Sequence, residues 1–102
     1  MLYQDLEKEL MKLAQDAREL GYKVTTPVLQ LDNVYGNKLA YYNHSSNKIV
    51  IHKHMVENAD ESEIENTLIH ELAHAVAEQN NTEKKRVWHG DTWKRINTEL
   101  GG

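Results

Sequence analysis

Between Ile64 and Ala77 the chain is apolar around most of a helical circumference, yet His70, Glu71 and His74 stand inside that run. Ile64, Leu68, Ile69, Leu72, Ala73, Ala75, Val76 and Ala77 leave no broad polar face, so a helix here is a buried one. Polar groups inside a buried helix need partners, because an uncompensated one is costly. Positions four apart differ by about 40° around a helix axis, so His70 and His74 project from one face and can ligate one ion. Glu71 can then reach a water on that ion without taking a coordination position itself. Two surface imidazoles flanking an ordinary helix-forming Glu would spell the same five residues. The apolar surroundings favour the metal.

Hydrolytic zinc usually takes three protein ligands and leaves one position for water or substrate. His89 is the best candidate for the third. It follows the polar stretch Gln79-Asn80-Asn81-Thr82-Glu83, which ends the motif helix, and Gly90 comes next. Asp91 can cap a further helix over Thr92 to Leu100, with Trp93, Ile96 and Leu100 on its apolar face. A ligand just before a helix start is held firmly, and the alternative for His89 is a solvated loop histidine.

His70-Glu71-Leu72-Ala73-His74-Ala75, followed by His89-Gly90-Asp91-Thr92-Trp93-Lys94 and closing at Leu100-Gly101, resembles the SprT-like (Spartan-type) zinc metallopeptidase domain. The resemblance covers most of the chain. It implies a zincin-like fold in which an amino-terminal helix and a small sheet precede the motif helix. It further implies Zn²⁺ on His70, His74 and His89, with Glu71 as general base. Peptidases of this type act on proteins attached or crosslinked to DNA, so DNA–protein crosslink repair is the implied setting. The fuller members carry a cysteine-rich zinc ribbon or a basic extension, and the sequence ending at Gly102 has neither. Strong autonomous DNA binding is therefore not expected.

With 102 residues the chain is one domain, residues 1–102, with room for a single modest core. It contains no cysteine, which excludes disulfides and thiolate zinc ligation. No apolar run approaches the ~20 residues of a membrane span, and the start lacks the layout of a signal peptide. An intracellular, cytoplasmic protein without membrane contact is expected.

The periodicity predicts an α+β order: N-terminal helix, small antiparallel sheet, motif helix, loop, C-terminal helix. Leu2, Leu6, Leu10, Leu13, Ala17 and Leu20 recur at helical spacing, and Gly21 suits a left-handed cap. Val24 to Leu31 contains Pro27, the only proline, and reads as an edge strand at best. Asp32-Asn33 and Gly36-Asn37 are turn residues. Lys38 to Tyr42 and Lys48 to His52 flank a polar loop and read as a hairpin. Asp60 and Glu63 are spaced as a capping box for the motif helix.

The net charge of −4 conceals an uneven distribution. Eight acidic residues and no Lys or Arg lie between Glu57 and Glu83, whereas Lys84, Lys85, Arg86, Lys94 and Arg95 bracket His89 against Asp91 alone. Such a basic lip suits a weak contact with DNA or a DNA-bound protein substrate, and equally a solvated loop and helix face. His52 and His54 alternate at a strand end and suit a substrate or second-metal contact, or solvent; His44 lies in a polar turn. Tyr35, Tyr41 and Tyr42 are possible oxyanion donors, though strand aromatics serve packing more often. Two further functional readings remain open. One is a non-catalytic module stabilised by zinc, with a fourth ligand from His52, His54, Glu78 or Asp91. The other is a zinc peptidase acting on a free regulatory protein. The sequence does not fix the oligomeric state.

Overall fold

The computed structural model describes residues 3–32, 40–80 and 91–102. Helix α1 (Tyr3–Glu19) turns Leu6, Leu10, Leu13, Ala14 and Ala17 inward. Leu20 caps the helix and is half exposed at 50%. Gly21 then takes φ +101°. Its N–H donates to the Arg18 carbonyl at 3.0 Å, and that of Tyr22 reaches back to Ala17 at 3.1 Å. This pair of bonds satisfies two end-of-helix carbonyls and needs a residue free to adopt positive φ.

Strands β1 (Val28–Asp32), β2 (Ala40–Asn43) and β3 (Lys48–His52) form one sheet in the order β1-β3-β2. The expected hairpin is antiparallel, with Tyr42 opposite Ile49 and Ala40 opposite Ile51. Its turn uses Asn43, whose Oδ1 accepts from Ser45 N–H at 3.0 Å, and Asn47 at φ 50°. The sheet as a whole is mixed, not antiparallel throughout. β1 pairs with the second hairpin strand, which makes that pairing parallel. Pro27 precedes β1, where its missing N–H breaks no ladder bond, and β1 is the edge strand that the proline implies. Leu29, Ile49 and Tyr42 form one row across the inner face, while Leu31, Ile51 and Ala40 form the next.

A short helix α2 (Lys53–Asn58) follows β3 directly and has no counterpart in the sequence reading. His52 caps it by accepting the His54 N–H on Nδ1 at 3.1 Å. Helix α3 (Glu61–Asn80) starts one residue after Asp60, where the capping-box spacing puts its start. Helix α4 (Asp91–Glu99) ends at Gly101 with φ +103° in the same two-bond cap as α1. α3 packs against α1, β2 and α4, so its Ile64, Leu68, Leu72 and Val76 form the middle of the core. Among the described residues no helix is long and apolar enough to cross a membrane.

Candidate metal centre

His70, Glu71 and His74 lie within α3, in its most enclosed stretch. His74 is 9% exposed and Glu71 7%. The two imidazoles share a face, with ring centres 5.0 Å apart and planes at 75°. Glu71 Oε1 lies 3.8 Å from His70 Nε2. Two imidazoles on one tetrahedral ion, with nitrogen–metal bonds of about 2.0–2.1 Å, have ring centres about 5 Å apart. Two imidazole donors with ring centres at this separation fit zinc. Among the described residues no group of three His, Asp or Glu side chains forms a metal-holding cluster. His89, the expected third ligand, lies outside the described residues, as do Lys84, Lys85 and Arg86.

Trp93, in the first turn of α4, meets both histidines. Its ring centre is 4.7 Å from that of His70 at 67° and 5.3 Å from that of His74 at 25°. Its Nε1 donates to the His70 carbonyl at 3.2 Å. Ile96 and Leu100, further along the same face, are buried at 0% and 8%. The spacing of Trp93, Ile96 and Leu100 identifies the apolar face of α4. It does not reveal that this face ends on the two imidazoles.

The C-terminal end of α3 is fixed by its own amide side chains. Thr25 N–H donates to Gln79 Oε1 at 2.6 Å, and Gln79 Nε2 donates to the Thr25 carbonyl at 3.1 Å. Asn80 repeats the arrangement on Lys23, accepting from its N–H at 3.0 Å and donating to its carbonyl at 2.8 Å. Each amide mimics a strand partner for the segment leading into β1. Gln79 Nε2 also donates to Asn47 Oδ1 at 3.2 Å, which in turn accepts from the Tyr42 hydroxyl at 2.8 Å.

That network takes up the hydroxyl of Tyr42, one of the tyrosines considered as donors. Tyr42 is buried at 8% and its hydroxyl is engaged by Asn47. Burial holds its phenol above the ordinary 10.0, with Glu78 adding to the rise and the Gln79 hydrogen bond opposing it. Tyr41 is on the opposite, outer side of the sheet and exposed, and Tyr35 lies outside the described residues. His52 serves α2 as its cap, His54 is exposed with Nδ1 3.9 Å from Glu57 Oε2, and His44 is exposed in the hairpin turn. Lys94 and Arg95 are exposed on α4, where Arg95 Nε lies 3.9 Å from Glu99 Oε1.

An α+β scaffold whose sheet packs on a buried helix bearing His-Glu-Leu-Ala-His is a zincin-like fold. The chain belongs to the SprT-like family, whose model matches residues 4–102. Its fold is similar to the crystal structure of the metallopeptidase zymogen abylysin of Pyrococcus abyssi, at 22% identity and a TM-score of 0.70. That match covers 92% of this chain and 77% of the other. The metallopeptidase zymogen jannalysin of Methanocaldococcus jannaschii is similar at 18% identity and a TM-score of 0.63, covering 94% and 78% of the two chains. No protein of curated function matches.

Proposed function

We propose that the protein is a zinc-dependent metallopeptidase. The observation that carries this is the His70–His74 pair, 5.0 Å apart on a buried helix, with the Glu71 carboxylate 3.8 Å from His70 Nε2. Family membership supports it, as do two structural neighbours that are metallopeptidase zymogens. His70, His74 and His89 would hold the ion through neutral imidazole nitrogens. Bound Zn²⁺ would supply Lewis acidity, enough to bring a water's pKa towards about 7. Glu71 accepts the proton from the attacking water and returns it to the leaving amine. The low exposure of Glu71 keeps that proton from being lost to bulk solvent between the two transfers. A purely structural site has no need for such a base, which disfavours the non-catalytic module.

DNA-associated or DNA-crosslinked proteins are the finer substrate reading. It rests on the exposed Lys94 and Arg95, which directly follow Trp93 on α4, and on Lys84, Lys85 and Arg86 in sequence before them. A cytoplasmic setting belongs to the same reading. Metal analysis tests the ligand set: wild type should hold about one zinc per chain, and His70→Ala, His74→Ala and His89→Ala should each lose it. Full retention in His89→Ala would mean that another residue is the third ligand.

A further inference from the structure

Trp93 touches the candidate centre in three ways at once. Its Nε1 donates to the His70 carbonyl at 3.2 Å. Its edge-on contact with the His70 ring spans 4.7 Å, and its stacked contact with the His74 ring spans 5.3 Å at 25°. We propose that Trp93 is a positioning residue that presets both imidazoles for the ion, an inference that rests on the metal reading of His70 and His74.

The physical case has three parts. A histidine χ2 torsion is broad, so a free imidazole samples many orientations that no ion can use. Stacking covers one face of the His74 ring, while the tilted contact limits His70. Rings ordered beforehand lose less freedom when they bind. Next, the helical repeat pairs the His70 carbonyl with the N–H of His74. The indole N–H is a second donor on that same oxygen, so the turn joining the two imidazoles is tied to α4. Finally, an imidazole bound to a cation carries part of its charge, and the face of an indole is the best aromatic neighbour for positive charge. None of this makes Trp93 a ligand, since the indole nitrogen only donates.

Packing alone would also explain a tryptophan beside Ile96 and Leu100. The two roles differ in what they move. A packing residue changes the stability of the metal-free protein; a positioning residue changes metal affinity and ligand geometry beyond that.

The test measures zinc affinity by competition with a chromophoric chelator for wild type, Trp93→Phe, Trp93→Leu and His70→Ala. Unfolding midpoints of the metal-free forms and visible spectra of the Co²⁺-loaded forms accompany it. Trp93→Leu should bind zinc about 10- to 100-fold more weakly, as expected for loss of an outer partner of metal ligands. Trp93→Phe, which keeps an aromatic face and loses the N–H, should fall between, with a metal-free midpoint near wild type and an altered Co²⁺ spectrum. Affinities within about twofold of wild type in both variants, alongside lost binding in His70→Ala, would overturn the positioning role while leaving the metal reading intact. Should Trp93→Leu fail to fold, Trp93→Phe decides alone: wild-type affinity and an unchanged spectrum overturn the proposal. If wild type and His70→Ala bind zinc equally, or neither binds, the metal reading itself falls and takes the positioning role with it.

Discussion

Gln79 and Thr25 pair through both polar atoms of each: the Thr25 N–H donates to Gln79 Oε1 at 2.6 Å, and Gln79 Nε2 donates to the Thr25 carbonyl at 3.1 Å. A helix side chain thus stands in for the strand that the Thr25 backbone lacks, and it holds the end of the motif helix against the entry to β1. Gln79→Ala should lower the unfolding free energy by about 1–3 kcal/mol, with three side-chain hydrogen bonds lost at a half-buried position. Gln79→Glu should cost at least as much at neutral pH, because an acceptor replaces the donor facing the Thr25 and Asn47 oxygens. Urea midpoints check both, and a midpoint unchanged in Gln79→Glu would show that the Nε2 bonds contribute nothing.

Tyr42 makes stability depend on alkaline pH. Burial, chiefly, holds its folded-state phenol above the ordinary 10.0, so the folded state binds this proton more tightly than the unfolded state. The stability it contributes is complete below the unfolded value and is lost as pH rises through the higher folded one. Tyr42→Phe removes the titration along with the bond to Asn47. It should therefore be less stable than wild type near neutrality, and that gap should narrow as pH rises past the ordinary 10.0 and through the higher folded value. Denaturant midpoints of the two proteins across that window test this; a gap independent of pH would contradict it.

The basic residues that bracket His89 in sequence should give weak, salt-sensitive DNA binding. From Lys84 to Arg95 the sequence has five basic residues and Asp91 as its one acid, which leaves a formal −8 on the rest of a chain whose net charge is −4. Each phosphate contact releases a counterion, so affinity should fall steeply with salt. Charge reversal at Lys84, Lys85 and Arg86 should weaken binding irrespective of DNA sequence and leave zinc in place. A salt titration with single- and double-stranded DNA measures this. Identical curves for wild type and triple variant, or no binding at low salt, would move the substrate to free proteins.

Local pattern carried most of the architecture, and long-range geometry carried what was missed. The leucine spacing of α1, the alternation of Lys48 to His52 and the apolar run around Leu68 and Leu72 each report a period that survives folding. The direction of β1 is different, because a strand has the same two-residue period whether its neighbour runs parallel or antiparallel. α2 escaped because it is six residues long and is capped by His52, outside the usual Ser, Thr, Asp and Asn set. Gln79 and Asn80 read locally as the end of a helix, whereas their partners lie 54 and 57 residues away. The Trp93 contacts likewise depend on how α4 crosses α3. The histidine pair and Glu71 were legible because four residues along a helix fix a shared face without any tertiary information.

Glu71 is the base in the proposed metal-dependent peptidase, and one comparison tests that role directly. Zinc-loaded wild type and Glu71→Gln are incubated with a broad panel of protein substrates, with and without DNA, after zinc content and fold are matched. Wild type should cleave, and Glu71→Gln should keep its zinc and its unfolding midpoint while losing cleavage by about 10²-fold or more. Equal proteolysis by the two proteins, or no cleavage by either across the whole panel, would contradict the account.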